Sequence, residues 1–142
     1  MRFLALCALL PLLLIGCDSS GPESGIGDLT LTLNPTGVPY NSLLLQTEEE
    51  YGTNCGLDVD INGDSESIQI EVLGPALADN RCAAVVSPYT IIIPLPSSGL
   101  EGYRLDIEKD GDVDSYLVSR LGDEEPLVLT GSGSFSRVLP NE

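Results

Sequence analysis

The sequence predicts an all-β fold, a small antiparallel β-sandwich, on three observations. From residue 28 onward apolar residues alternate with polar ones at a period of two, and no stretch carries a helical stripe. The alternating runs are short and recur at similar intervals, cut apart by Gly, Pro, Asn and Asp, as in a chain that folds back between strands. Fifteen glycines and ten prolines supply turns, and 142 residues are enough for one core and no more.

The elements follow in order. Leu29, Leu31 and Leu33 alternate with Thr30 and Thr32, a half-buried strand closed by the turn Asn34-Pro35-Thr36-Gly37. A second strand covers 40–47 and ends at Glu48-Glu49-Glu50, whose adjacent like charges read as a solvated loop. Further strands are expected over 55–61, 68–73, 90–93, 102–109, 114–120 and 127–130, with 135–139 as a last edge. Residues 74–81 leave room for one helical turn.

Two segments echo each other: Leu57-Asp58-Val59-Asp60-Ile61-Asn62-Gly63-Asp64-Ser65-Glu66-Ser67-Ile68 and Leu105-Asp106-Ile107-Glu108-Lys109-Asp110-Gly111-Asp112-Val113-Asp114-Ser115-Tyr116. Read as hairpins, both take a four-residue loop, over 62–65 and 110–113. That register sets Val59 opposite Ile68 and Ile107 opposite Tyr116, and sorts both segments into an apolar and a polar face. A two-residue turn would instead place Val59 against Glu66. The spacing also resembles the Asp-x-Asp-x-Asn-Gly start of EF-hand-like calcium loops. That resemblance implies calcium on Asp58, Asp60, Asn62 and Glu66, and on Asp106, Glu108, Asp110 and Asp114, with Asp64 and Asp112 as loop-tip acids. The twelfth position, where the bidentate Glu belongs, holds Gln69 in one segment and Leu117 in the other.

The stretch Leu95-Pro96-Ser97-Ser98-Gly99-Leu100-Glu101-Gly102-Tyr103-Arg104-Leu105 resembles a turn leading into a strand of immunoglobulin-like and transthyretin-like sandwiches. The resemblance implies a corner tyrosine at Tyr103, its hydroxyl bonding back to the preceding loop.

At the start of the chain, Arg2 precedes a short apolar run over 3–15 that contains Pro11 and stops at Gly16 and Cys17. The run falls short of the roughly 20 apolar residues that cross a bilayer and has the outline of a cleavable export signal. Leu14-Ile15-Gly16-Cys17 resembles the lipobox of bacterial lipoproteins. The resemblance implies a diacylglyceryl group on the Cys17 sulfur, cleavage before Cys17, and acylation of the new amino group. The expected organisation is then a signal peptide over 1–16, a lipidated cysteine and flexible tether over 17–27, and a sandwich domain over 28–142. The polar tether of about 10 residues reaches roughly 15–20 Å. With Cys7 removed and Cys17 lipidated, Cys55 and Cys82 remain as a pair in an oxidising compartment, and a disulfide between them is expected. Closing that loop contributes about 3.5 kcal/mol on chain entropy.

Charge and missing residue types bound the function. The net charge is −16, and loss of Arg2 with the leader makes it one unit more negative. Such a chain repels nucleic acid and anionic headgroups. The same acidity suits a high-salt habitat, where self-repulsion is screened within about 3 Å at 1 M. With no histidine and Lys109 as the only lysine, the chain lacks the commonest general base, and no catalytic residue is assigned. The expected role is that of a non-enzymatic lipoprotein of the bacterial cell envelope. It is held by its acyl chains to the inner or outer membrane and faces the periplasm or exterior, and it engages another envelope protein through a sheet edge or loop tips. The alternative is a calcium-binding adhesion or stabilising module.

Overall fold

The computed structural model describes residues 25–34, 41–53, 55–64, 66–76, 82–96, 102–120 and 126–140. Cys17, the leader, the tether up to residue 24, most of the turn over 34–37 and residues 77–81 lie outside them.

Nine strands form: β1 (Leu29–Asn34), β2 (Ser42–Tyr51), β3 (Leu57–Gly63), β4 (Ser67–Pro75), β5 (Ser87–Pro94), β6 (Gly102–Lys109), β7 (Asp112–Arg120), β8 (Leu127–Gly131) and β9 (Ser136–Val138). They make two sheets packed face to face, ordered β5-β2-β1-β9 and β3-β4-β6-β7-β8. The architecture is the expected all-β sandwich, and Cys55 and Cys82 are joined by a disulfide. Leu29, Leu31, Leu43 and Leu45 from the first sheet meet Ile70, Leu105, Ile107 and Val118 from the second, all fully buried. Alternation explains the assignment: each sits on the inward face of its strand, and fully burying one such side chain stabilises by about 1.5–3 kcal/mol.

Pairing is mainly antiparallel, but β4 lies parallel to β6 and β1 parallel to β9. Both exceptions follow from chain path. Between β4 and β6 the chain crosses to the other sheet as β5, and between β8 and β9 it crosses again, so the returning strand meets its neighbour in the same direction.

The loop expected at Glu48-Glu49-Glu50 is instead strand. β2 continues through three exposed glutamates to Tyr51, with a register shift between Gln46 and Glu50. The far end supplies the reason. Tyr51 stacks on Tyr89 with ring centroids 4.3 Å apart, and Thr47 Oγ1 accepts from Tyr89 N at 3.0 Å. These anchors outweigh the weak repulsion of solvated charges.

The two hairpins form with registers other than those expected. In β3–β4, Val59 faces Val72, Ile61 faces Ile70 and Gly63 faces Ile68. In β6–β7, Ile107 faces Asp114 and Leu105 faces Tyr116, across a two-residue turn Asp110-Gly111 with φ of 55° and 87°. Both slips are by an even number of residues, so every side chain keeps its expected face.

Candidate functional site

The two edges of the sandwich are built differently. On one side β8 and β9 meet, and a polar knot closes the seam. Asp114 points inward from β7 and is only 4% exposed. Its Oδ1 accepts from Ser134 N at 2.6 Å and Ser134 Oγ at 3.0 Å. Its Oδ2 accepts from Phe135 N at 3.1 Å, Ser136 N at 2.9 Å and Ser136 Oγ at 2.6 Å. Three successive backbone N–H groups thus converge on one carboxylate, the geometry of an anion-binding nest filled by the protein's own side chain. Burial pushes the Asp114 carboxyl up, but the bonds from Ser136 Oγ, Ser134 N, Phe135 N and Ser134 Oγ together hold it below the usual range. A side chain on Gly133 would collide with this carboxylate, which is why the approach needs a glycine there.

Tyr116 completes the knot, its hydroxyl lying 2.7 Å from Ser136 O, to which it donates, and 2.8 Å from Ser136 Oγ. It thus does the tying expected of Tyr103. The Tyr103 hydroxyl is buried without a hydrogen-bond partner among the described residues, and burial pushes its pKa up to about 12.

At the same end of the sandwich, the segment leading into β1 is gripped. Lys109 Nζ donates to Ile26 O at 3.3 Å and Gly27 O at 3.0 Å and lies 5.2 Å from the centre of the Phe135 ring. Gly27 N donates to the Tyr51 hydroxyl at 2.9 Å. The only lysine is therefore committed to main-chain carbonyls. Nothing in the local sequence marks it for this, because the partners lie more than 80 residues away.

The acids of the two echoed segments are laid out along strands and turns. Asp58, Asp60 and Asn62 occupy the exposed face of β3, and Glu66 is exposed in the turn before β4. Asp106 accepts from Arg104 Nε at 2.7 Å and Ser115 Oγ at 2.6 Å, and Glu108 accepts from Gln69 Nε2 at 2.6 Å. Asp110 sits exposed in the turn, and Asp114 is buried in the knot. Of the loop-tip acids, Asp112 opens β7, while Asp64 Oδ1 accepts from the backbone N–H of Glu66 and Ser67. These bonds make the turn and hold its carboxyl below the usual range. Alternate residues on a strand stand about 7 Å apart, so an EF-hand-like spacing here strings carboxylates out rather than wrapping them around a point. The parallel pairing of β4 with β6 also sets the two turns at opposite ends of the sheet, roughly 20 Å apart by strand rise. Among the described residues no three His, Cys, Asp or Glu side chains gather as a cation site.

The other side of the sandwich, between edge strands β3 and β5, is closed at one end only among the described residues. There Cys55 bonds Cys82, and Gly56, with φ of 76°, lies against the carbonyl of Thr90. Toward the far end the seam opens. The inward-facing residues of β3 run from Leu57 at 4% exposed to Ile61 at 46%. A cavity of about 320 Å³ opens there, lined by Ile61, Asn62, Gly63, Asp64, Ile68 and residues 93–96. Binding pockets for small molecules run from about 300 to 1,000 Å³, so this one suits a side chain or two rather than a large cofactor. Sequence reasoning missed it, because Ile61 reads as an ordinary core position of an alternating strand.

No protein-family description, curated protein or solved structure matches the chain.

Proposed function

We propose that the protein is a lipid-anchored lipoprotein of a bacterial envelope whose β-sandwich is a non-catalytic interaction module. The observation that carries the reading is the Cys55–Cys82 disulfide. A structural disulfide belongs to an oxidising compartment, and with those two thiols spent, Cys17 stands alone beyond the leader, in the lipobox-like Leu14-Ile15-Gly16-Cys17. The place where the chain joins the domain supports the same reading. Main-chain groups of Ile26 and Gly27 are held by Lys109 and Tyr51, a firm root for a tether that bears an anchor. Two or three acyl chains would hold it stably, since each buried methylene contributes about 0.8 kcal/mol and one chain alone gives only reversible binding.

A non-catalytic role accords with the absence of histidine from the chain and with the commitment of Lys109 to carbonyl oxygens. The domain then acts by presenting its surface to another envelope protein, on the periplasmic or outer side of the inner or outer membrane. Intact-mass analysis of protein extracted from membranes tests this. The expected species begins at Cys17 and carries diacylglyceryl and N-acyl additions, and Cys17→Ser transfers the protein to the soluble fraction. An unmodified Cys17 thiol with the leader retained would overturn the reading.

A further inference from the structure

We infer that the open half of the seam between β3 and β5 is a docking slot for an extended peptide strand carrying apolar side chains and basic flanks. The inference rests on the interaction role proposed above and specifies its site and partner chemistry.

Three features point the same way. The first is backbone that is unpaired among the described residues. β3 and β5 are edge strands, and the hydrogen bonds on their paired sides fix which groups face outward. Tyr89 N reaches Thr47 and Leu95 N reaches Asn41, so the odd-numbered amides of β5 turn toward β2, and Ile92 directs its N–H and C=O to the open side. Asp64 N reaches Ser67 O, so by the same alternation Ile61 directs its N–H and C=O away from β4. Packed sheets stand about 10 Å apart, twice the roughly 4.8 Å between paired strands. One added strand therefore fits between these two edges and can pair with both, closing that flank as a barrel closes.

The second feature is apolar surface that none of the described residues fills. Ile61 faces the interior yet is 46% exposed, beside a cavity floored by Ile68, Ile93 and Leu95. Alternate side chains of an incoming strand would point into that space. Proline flanks the free edge at Pro88 and Pro94, whose missing N–H groups limit strand addition to a short segment between them.

The third is charge. Residues 82–100 carry no Asp, Glu, Lys or Arg in a chain of net charge −16, while Asp58 and Asp60 stand on the outer face of the opposite edge strand and Asp64 lines the cavity. A neutral wall opposite an acidic one favours a strand whose apolar residues lie centrally and whose lysine or arginine residues lie at its ends. A second copy of this chain has the wrong sign to serve as that partner.

The test uses the full lipidated protein in detergent and two synthetic octapeptides, one of alternating valine and threonine flanked by lysines, the other identical but flanked by glutamates. The expected result is saturable binding of the lysine peptide, with the amide protons of Ile61 and Ile92 becoming protected from exchange. Binding of the glutamate peptide should be at least tenfold weaker. Ile61→Arg should lower affinity for the lysine peptide at least tenfold, and Leu117→Arg, on the exposed face of β7, should leave it unchanged. Because Ile61 is already half-exposed, its variant is expected to fold; the exchange measurement on the unsubstituted protein stands independently. Binding without protection at Ile61 and Ile92, equal binding of both peptides, equal loss in the two variants, or no binding would each overturn the slot. None of these bears on the mass of the Cys17 adduct, which judges the anchored role separately.

Discussion

The β3–β4 and β6–β7 hairpins are written in nearly the same residues and fold differently. Aligning Leu57 with Leu105 sets Asn62-Gly63 against Asp110-Gly111 and Glu66 against Asp114. In β6–β7 the Asp110-Gly111 pair is the turn itself, both residues at positive φ. In β3–β4 the matching Asn62-Gly63 pair stays within the strand, and the turn forms later, around Asp64, whose carboxylate gathers the N–H groups of Glu66 and Ser67. The acid at the tenth position, Glu66 or Asp114, decides between them. A tight turn carries that acid to the inner face. Asp114 finds five donors there, whereas Glu66 would meet only the hydrophobes of the core. Similar sequences thus take registers set by what waits on the far side of the sandwich.

The largest effect that would break this contrast is at its pivot. Asp114→Ala leaves three backbone N–H groups and two serine hydroxyls without their acceptor, and is expected to cost about 3–5 kcal/mol. The matching Glu66→Ala, at an exposed position, should cost under about 0.5 kcal/mol. Urea denaturation of the two variants gives the comparison directly, and equal losses would refute it.

The glycines offer a second, smaller contrast. A Cβ on Gly63, at φ 154°, would strike the Ser67 carbonyl, so Gly63→Ala should cost about 2–3 kcal/mol. Gly111, at φ 87°, has open space around it, so Gly111→Ala should cost only the strain of positive φ, about 1 kcal/mol. Melting temperatures that reverse this order would show that the turns are not placed as described.

Acid sharpens the pivot in a different way. The folded Asp114 carboxyl lies below its unfolded value of about 3.9, so its contribution is complete above that pH and is lost as pH falls through the lower, folded value. Stability should therefore decline below about pH 4, and less steeply in Asp114→Asn than in the unsubstituted protein. Parallel curves would remove Asp114 as the source. The smallest effect expected is that of calcium. With the echoed acids spread along strands and across both ends of the sheet, millimolar calcium in moderate salt should give no saturable heat and no specific rise in melting temperature.

The sequence made some of this legible and hid the rest for identifiable reasons. Alternation announces strands and fixes which residues face inward, as with Leu29, Leu31 and Leu33 or Ile68, Ile70 and Val72, because that is a property of each strand alone. Register is a property of pairs, and a slip by two or four residues leaves the same faces buried, so both hairpins were open to it. The run Glu48-Glu49-Glu50 looked like a loop because its charge is local, while the stacking of Tyr51 on Tyr89 that keeps it in β2 is not. The same holds for Asp114, an acid in an acidic turn until Ser134, Phe135 and Ser136 return to it from the opposite edge. The open seam is hidden most deeply, since it reflects the cavity left beside Ile61 by the described residues, which no single strand's pattern records.

The grip of Lys109 and Tyr51 on Ile26 and Gly27 has a mechanical side. β1 lies inside its sheet, between β2 and β9, so a pull applied at Gly25 and resisted elsewhere in the domain runs along the strand axis. Its ladder bonds are then sheared together rather than unzipped one by one, and before they are strained at all the force must first detach an ammonium and a phenol. If the domain is tethered as proposed, that grip would protect it at the point where it would otherwise begin to unravel.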